Sequence, residues 1–182
     1  MHMKVNERFN WAVEMLHVDP DDRILEIGCG HGIAVSLIAP QLKKGCITAI
    51  DSSSAMIGRA IKKNEGTQAS FINGTLLEAP IKDRQFDKIF AFNVNVFHKD
   101  AEKELDLIRE YLAPLGALYI FHQPPPTDDI EITRSFADRI ALELQKGGFL
   151  VRDVLYKRIA PSPCVCVISQ PVALRRHASA VA

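Results

Sequence analysis

The 182-residue sequence has no excess of either charge, with 22 Lys plus Arg against 22 Asp plus Glu. A protein that works by neutralising phosphates shows a basic surplus or a dense basic stripe. Here the longest basic runs are pairs such as Lys43-Lys44 and Lys62-Lys63, so nucleic acid is disfavoured as a partner. No apolar run approaches the roughly 20 residues that span a bilayer. Residues 1–10 are polar and lack the apolar core of a secretory signal. Cys29, Cys46, Cys164 and Cys166 have no framework spacing, and reduced thiols in the cytoplasm are the expected state. The histidines lack ligand spacing, so no metal is expected. Without an internal repeat or low-complexity tract, the length fits one domain over residues 1–172 and a frayed tail at 173–182.

What is present is an alternation of short apolar runs with amphipathic stretches, which predicts an α/β fold with a parallel sheet covered on both faces. A helix is expected over residues 6–16, broken by Asp19-Pro20-Asp21-Asp22, then a strand at 23–27. A helix over 32–42, weakened at Pro40, precedes a strand at 46–50. Ser52, Ser53 and Ser54 offer N-caps for a helix reaching Asn64, and strands at 69–73 and 86–92 follow. Ala101, Leu105, Ile108 and Leu112 form one helical stripe, stopped by Pro114 and Gly116 before a strand at 117–121. A long helix with Ile132, Phe136, Ile140 and Leu144 on one face ends at Gly147-Gly148. Residues 149–156 and 165–169 are strand-like, and the turn between them, with Pro161 and Pro163, is too short for a parallel crossover. They should pair as an antiparallel hairpin.

The informative segment is Ile24-Leu25-Glu26-Ile27-Gly28-Cys29-Gly30-His31-Gly32, a buried strand running into a glycine-rich turn that opens a helix. Such turns let a ligand approach bare main chain. The dinucleotide fingerprint needs Gly or Ala three residues after its second glycine, but that residue is Ile33. Glu26, two residues before the first glycine, would repel a pyrophosphate; it suits a phosphate-free ligand carrying an ammonium and a sulfonium. Asp51, at the end of the second strand, can accept two hydrogen bonds from a ribose diol.

These residues resemble the motifs of class I S-adenosylmethionine-dependent methyltransferases. Asp51-Ser52-Ser53-Ser54-Ala55-Met56-Ile57 is similar to the family's Asp-x-Ser-x-x-Met pattern, whose start flanks the ribose and adenine, although Met56 also reads as core packing. Asn73-Gly74-Thr75-Leu76-Leu77-Glu78-Ala79-Pro80 matches at Gly74 and Pro80, but Thr75 stands where relatives carry the Asp that holds the adenine amine. The Leu76 backbone is expected to carry more of that contact. Phe86-Asp87 opens a strand like the family's fourth, whose far end, Phe92 and Asn93, should face the methionine part.

The resemblance implies a three-layer Rossmann-like sandwich with a seven-stranded, mostly parallel sheet of order 3-2-1-4-5-7-6 and an antiparallel C-terminal hairpin. It also implies S-adenosylmethionine as cofactor and S-adenosylhomocysteine as product. The expected cofactor residues are Glu26, Gly28, Cys29, Gly30, Gly32, Asp51, Ser52, Met56, Gly74, Thr75, Leu76, Phe92 and Asn93. The expected acceptor is a small molecule.

Asn93-Val94-Asn95-Val96 has no proline, unlike the signature of enzymes that methylate nucleic-acid amines, and Gln123-Pro124-Pro125-Pro126 comes one strand too late. Pro163-Cys164 introduces the last strand, where Cys164 and Cys166 read as core residues. His98 and His122 follow strands four and five and are the candidate general bases, alongside their reading as ordinary loop residues. His31 is expected to shape the cofactor loop. Phe9 and Trp11 either fold over the cofactor or pack in the core. A domain that binds the cofactor as a non-catalytic partner or regulatory subunit would share every cofactor feature, and a nicotinamide-dependent oxidoreductase is disfavoured by Glu26 and the glycine spacing.

Overall fold

The computed structural model describes residues 3–82 and 84–172. The elements run α1 (Met3–Leu16), β1 (Arg23–Ile27), α2 (Ile33–Ile38), β2 (Cys46–Asp51), α3 (Ser54–Lys63), β3 (Ser70–Asn73) and β4 (Phe86–Phe92). They continue with α4 (Glu102–Tyr111), β5 (Leu112–His122), α5 (Ile130–Lys146), β6 (Phe149–Lys157) and β7 (Cys164–Pro171). The seven strands form one sheet of order β3-β2-β1-β4-β5-β7-β6. The first five are mutually parallel, whereas β7 runs antiparallel to both β5 and β6. This is the expected topology, hairpin included.

Strand alternation divides the core between the two faces. Ile24, Ile47, Phe90, Phe121, Cys164 and Cys166 pack with Trp11, Leu16, Val35 and Ile57 from α1, α2 and α3. On the other face Leu25, Ile50, Ile89, Ile120 and Val165 pack with Leu105, Ile108, Ile140 and Leu144 from α4 and α5. Both cysteines of β7 are fully buried, as expected, and burial pushes the Cys164 thiol up to about 12.

Three expectations need adjusting. The opening helix begins at Met3. The strand expected from residue 117 begins at Leu112, directly after α4. Its register jumps from Phe86↔Leu112 to Lys88↔Ala117, extruding Pro114 and Leu115 as a bulge. Proline has no N–H for the ladder and is confined to such irregularities. In α5 the buried stripe is Thr133, Ala137, Ile140 and Leu144, while Ile132 is exposed. The small Thr133 and Ala137 let the helix approach the sheet, and Thr133 Oγ1 donates to Pro163 O at 3.3 Å. The tail at 173–182 lies outside the described residues.

Of the three serines before α3, Ser53 is the N-cap; its Oγ accepts from Met56 N at 3.3 Å. Ser53→Ala should lower stability by about 1 kcal/mol, the usual cost of a lost cap, with an unchanged denaturant slope in urea unfolding.

Candidate functional site

The site is built where β1 and β2 end. By alternation Glu26 points to the face shared with α1, α2 and α3, between Leu25 and Ile27, which face α4 and α5. The residue is 1% exposed, and among the described residues its Oε2 has no hydrogen-bond partner. Burial, followed by the negative charge of Asp51, raises its pKa well above the ordinary carboxylate range. A buried acid without a partner is costly, so its retention calls for a ligand that completes it.

The glycine loop then turns across the end of β2. Gly28 N and Cys29 N both donate to Ile50 O, at 2.8 and 2.9 Å. Gly30 N donates to Asp51 Oδ2 at 2.8 Å, and Ser53 N to Asp51 Oδ1 at 2.9 Å. One backbone bond to each oxygen fixes the Asp51 carboxylate and leaves each oxygen a lone pair for a further donor.

Gly28, Gly30 and Gly32 have φ of 73°, 51° and 67°, the left-handed region. A Cβ on Gly28 would lie 2.6 Å from Val94 Cγ2, and one on Gly32 would lie 2.6 Å from Asn64 Nδ2. A Cβ on Gly30 would meet nothing among the described residues within 4 Å, so the loop is packed at both ends and open at its middle.

Cys29 is buried beneath this loop, its thiol pKa pushed up by burial and the nearby Glu26 and Asp51, so it stays protonated. Ser52 is exposed beside Asp51, and Met56 is half-buried in the first turn of α3, outside both core clusters. His31 is exposed on the loop, 3.0 Å through Nε2 from Arg59 Nη1.

Gly74 N and Asn73 Nδ2 both donate to Asp51 O at 3.0 Å, drawing the loop after β3 against β2. Thr75 does not stand alone there: its backbone N and its Oγ1 donate to Glu78 Oε2, at 3.1 and 2.8 Å. The hydroxyl keeps its acceptor lone pairs, with the charged Glu78 carboxylate behind it. Leu76 is buried in the core below.

At the end of β4, Phe92 is buried between Phe9 (centroids 5.1 Å apart) and Phe121 (5.6 Å, stacked). Trp11 packs edge-on to Phe121 in the core, whereas Phe9 covers Phe92. Asn93 has φ 56° and spends its side chain on Gln123: Oδ1 accepts from Gln123 N at 2.8 Å and Nδ2 donates to Gln123 O at 3.1 Å. Asn93 thus clamps the ends of β4 and β5 together.

His98 and His122 come together, with ring centroids 5.2 Å apart, both packed on Phe136. His122 is 7% exposed, and its Nε2 is buried without a partner among the described residues. Burial, then the neighbouring His98 and Arg139, pulls the His122 pKa down to about 4. Burial, Arg139 and Lys99 lower that of His98. A base that weak gains little from accepting a proton near neutrality, which counts against His122 in that role.

Three residues emerge only in three dimensions. Asn64 caps α3 and donates from Nδ2 to Gly32 O at 3.1 Å and Ala60 O at 2.8 Å, bracing the glycine loop. Gln123, buried, donates from Nε2 to Ser162 O at 2.8 Å and joins β5 to the hairpin turn. Arg8 of α1 reaches Gln123 Oε1 at 3.3 Å. Asn64 follows Lys62-Lys63 and Gln123 stands between His122 and Pro124, and neither setting says in sequence what the side chain will hold.

Known proteins resemble this chain. Residues 24–116 match the family described as "Methyltransferase domain". The uncharacterized methyltransferase YdaC of Bacillus subtilis is 28% identical over 167 residues, covering 91% of this chain and 92% of its own. The malonyl-[acyl-carrier protein] O-methyltransferase of Priestia megaterium is 36% identical over 95 residues, 52% of this chain and 34% of that protein. A SAM-dependent methyltransferase from Aquifex aeolicus shares the fold, with a TM-score of 0.73 at 20% identity, covering 90% of this chain and 89% of its own. The orphan carboxylate of Glu26, the open middle of the glycine loop and the tethered Asp51 stand at the strand ends of a chain that belongs to the class I S-adenosylmethionine-dependent methyltransferases.

Proposed function

We propose that the protein binds S-adenosylmethionine across the ends of β1 and β2 and methylates a small-molecule acceptor that enters at the ends of β4 and β5. The observation that carries this reading is Glu26: a fully buried carboxylate with an unpartnered oxygen, below a loop whose middle glycine faces open space. A ligand with an ammonium group supplies the missing partner, whereas a pyrophosphate would set like charges together. Asp51, held by Gly30 N and Ser53 N, is oriented to accept the ribose hydroxyls. Thr75 Oγ1, Ser52 and the Leu76 backbone line the expected adenine side, and Phe92 and the Cys29–Gly30 backbone the methionine side.

The cofactor, when bound, supplies a methyl group already activated on a sulfonium. The protein's part is orientation and exclusion of water. Glu26 fixes one end of the ligand, Asp51 the other, and the Asn93–Gln123 clamp sets the spacing of the two strand ends where the acceptor would lie. No side chain is required to form a bond to the methyl group.

S-adenosylhomocysteine is expected to raise the melting temperature in a thermal scan, and NAD to leave it unchanged. Asp51→Ala should weaken S-adenosylhomocysteine binding by about 1.5–3 kcal/mol, the scale of hydrogen bonds to a charged acceptor. An unchanged dissociation constant by calorimetry removes Asp51 from the site.

A further inference from the structure

Beside the expected methyl position lies a cavity of about 440 Å³, lined by Arg8, Asn93, Asn95, His122 and Gln123, with Pro124, Pro125, Pro126 and Pro161 as its apolar wall. Arg8 is the charged group in that lining. Its guanidinium sits over the rings of Phe9 and Phe92, at 4.9 and 5.2 Å from their centroids. Among the described residues its side-chain hydrogen bond goes to the neutral Gln123 Oε1, and its Nε is buried without a partner. Among the described residues no carboxylate pairs with it, and burial depresses its pKa.

Half-buried arginines are ordinarily matched with an acid, because a guanidinium has five donors in a planar fork and pays to leave water. Arg8 has given one of these donors to a weak amide contact. Phe9 and Phe92 favour the cation through their ring faces but use none of its N–H groups. The cavity therefore presents an unneutralised fork at one end and proline rings along its side.

We propose that the methyl acceptor is a small carboxylic acid whose carboxylate is held by Arg8, with its apolar body along Pro124–Pro126. A carboxylate oxygen attacks the sulfonium methyl, the new C–O bond forms as the C–S bond breaks, and a methyl ester and S-adenosylhomocysteine result with no proton to move. This rests on the reading of the adjacent site as a methyl-donor site, which fixes the direction from which the acceptor must be approached. Arg8 is a binding residue in this account. The planar carboxylate takes the fork in two parallel hydrogen bonds, the geometry a lysine cannot reproduce. His122 contributes shape to the cavity and is not asked to move a proton.

The test uses the full chain and a series of straight-chain carboxylates of four to ten carbons, each with its primary amide. Titrations are run by calorimetry after saturation with S-adenosylhomocysteine. The carboxylates should bind and the isosteric amides should bind at least tenfold more weakly. Arg8→Gln should weaken the carboxylates by about ten- to a hundredfold, the range for one lost charge-assisted partner, with Arg8→Lys in between. Thermal unfolding reports that each variant is folded, and loss of S-adenosylhomocysteine binding by a folded Arg8→Gln would assign Arg8 to the cofactor's own carboxylate and overturn the proposal. Amides bound as tightly as acids, an Arg8→Gln variant with unchanged carboxylate affinity, or S-adenosylhomocysteine binding with no carboxylate bound each overturns the proposal. Loss of S-adenosylhomocysteine binding in the wild-type protein would instead overturn the donor-site reading.

Discussion

Gly30→Asn is expected to give a folded protein that no longer binds S-adenosylhomocysteine. At φ 51° most side chains strain the backbone, but Asn is among the few that enter the left-handed region readily. A Cβ there meets nothing within 4 Å, so the loss of stability should stay near 1 kcal/mol or below. The new side chain instead fills the space assigned to the ligand. A micromolar dissociation constant driven past millimolar corresponds to a loss of more than about 4 kcal/mol. Gly32→Ala is the contrasting case: its methyl meets Asn64 Nδ2 at 2.6 Å and Ala60 Cβ at 3.0 Å. It should destabilise the fold by about 1–3 kcal/mol through overpacking. Thermal unfolding and calorimetry on both variants check the pair; full binding by Gly30→Asn would move the ligand away from the loop.

Glu26→Gln is expected to trade binding for stability. Burial raises the native-state pKa of Glu26, so the folded protein holds this proton more tightly than the unfolded chain. Its contribution is then most favourable below the unfolded carboxylate pKa and is lost as pH rises toward the folded value. Glutamine does not ionise, so the ligand-free variant should match or exceed the wild type at neutral pH, with its advantage growing from mildly acid pH upward. Binding should weaken by about 2–5 kcal/mol, the range for truncating one partner of a buried charged pair. Urea titrations at several pH values and calorimetry with S-adenosylhomocysteine give both numbers. A variant less stable at neutral pH with unchanged affinity would mean that Glu26 already has its partner within the protein.

Much of this was legible in the sequence because the signals are local. The short apolar runs, the breaks at Pro20 and Pro40 and the short turn before β7 pointed to five parallel strands closed by a hairpin, and the strand order came with the family resemblance. The glycine spacing and Glu26 named a ligand class from three glycines and one charge. The expectations failed where packing chose between equivalent local options. Ile132 and Thr133 are adjacent on α5, and only the distance to the sheet decided that the smaller residue faces inward. Thr75 appeared as a lost charge, yet folding brings the Glu78 carboxylate to its hydroxyl. Arg8 carried no signal, since one arginine on an amphipathic helix is unremarkable until the strand ends that it meets are known.

The most direct test of the central claim is calorimetric titration of the unmodified protein with S-adenosylhomocysteine at neutral pH. An ammonium group placed against Glu26 and a ribose against Asp51 predict one ligand bound per chain. Absence of binding, or a pyrophosphate ligand such as NAD taken up as tightly at the same loop, would contradict it.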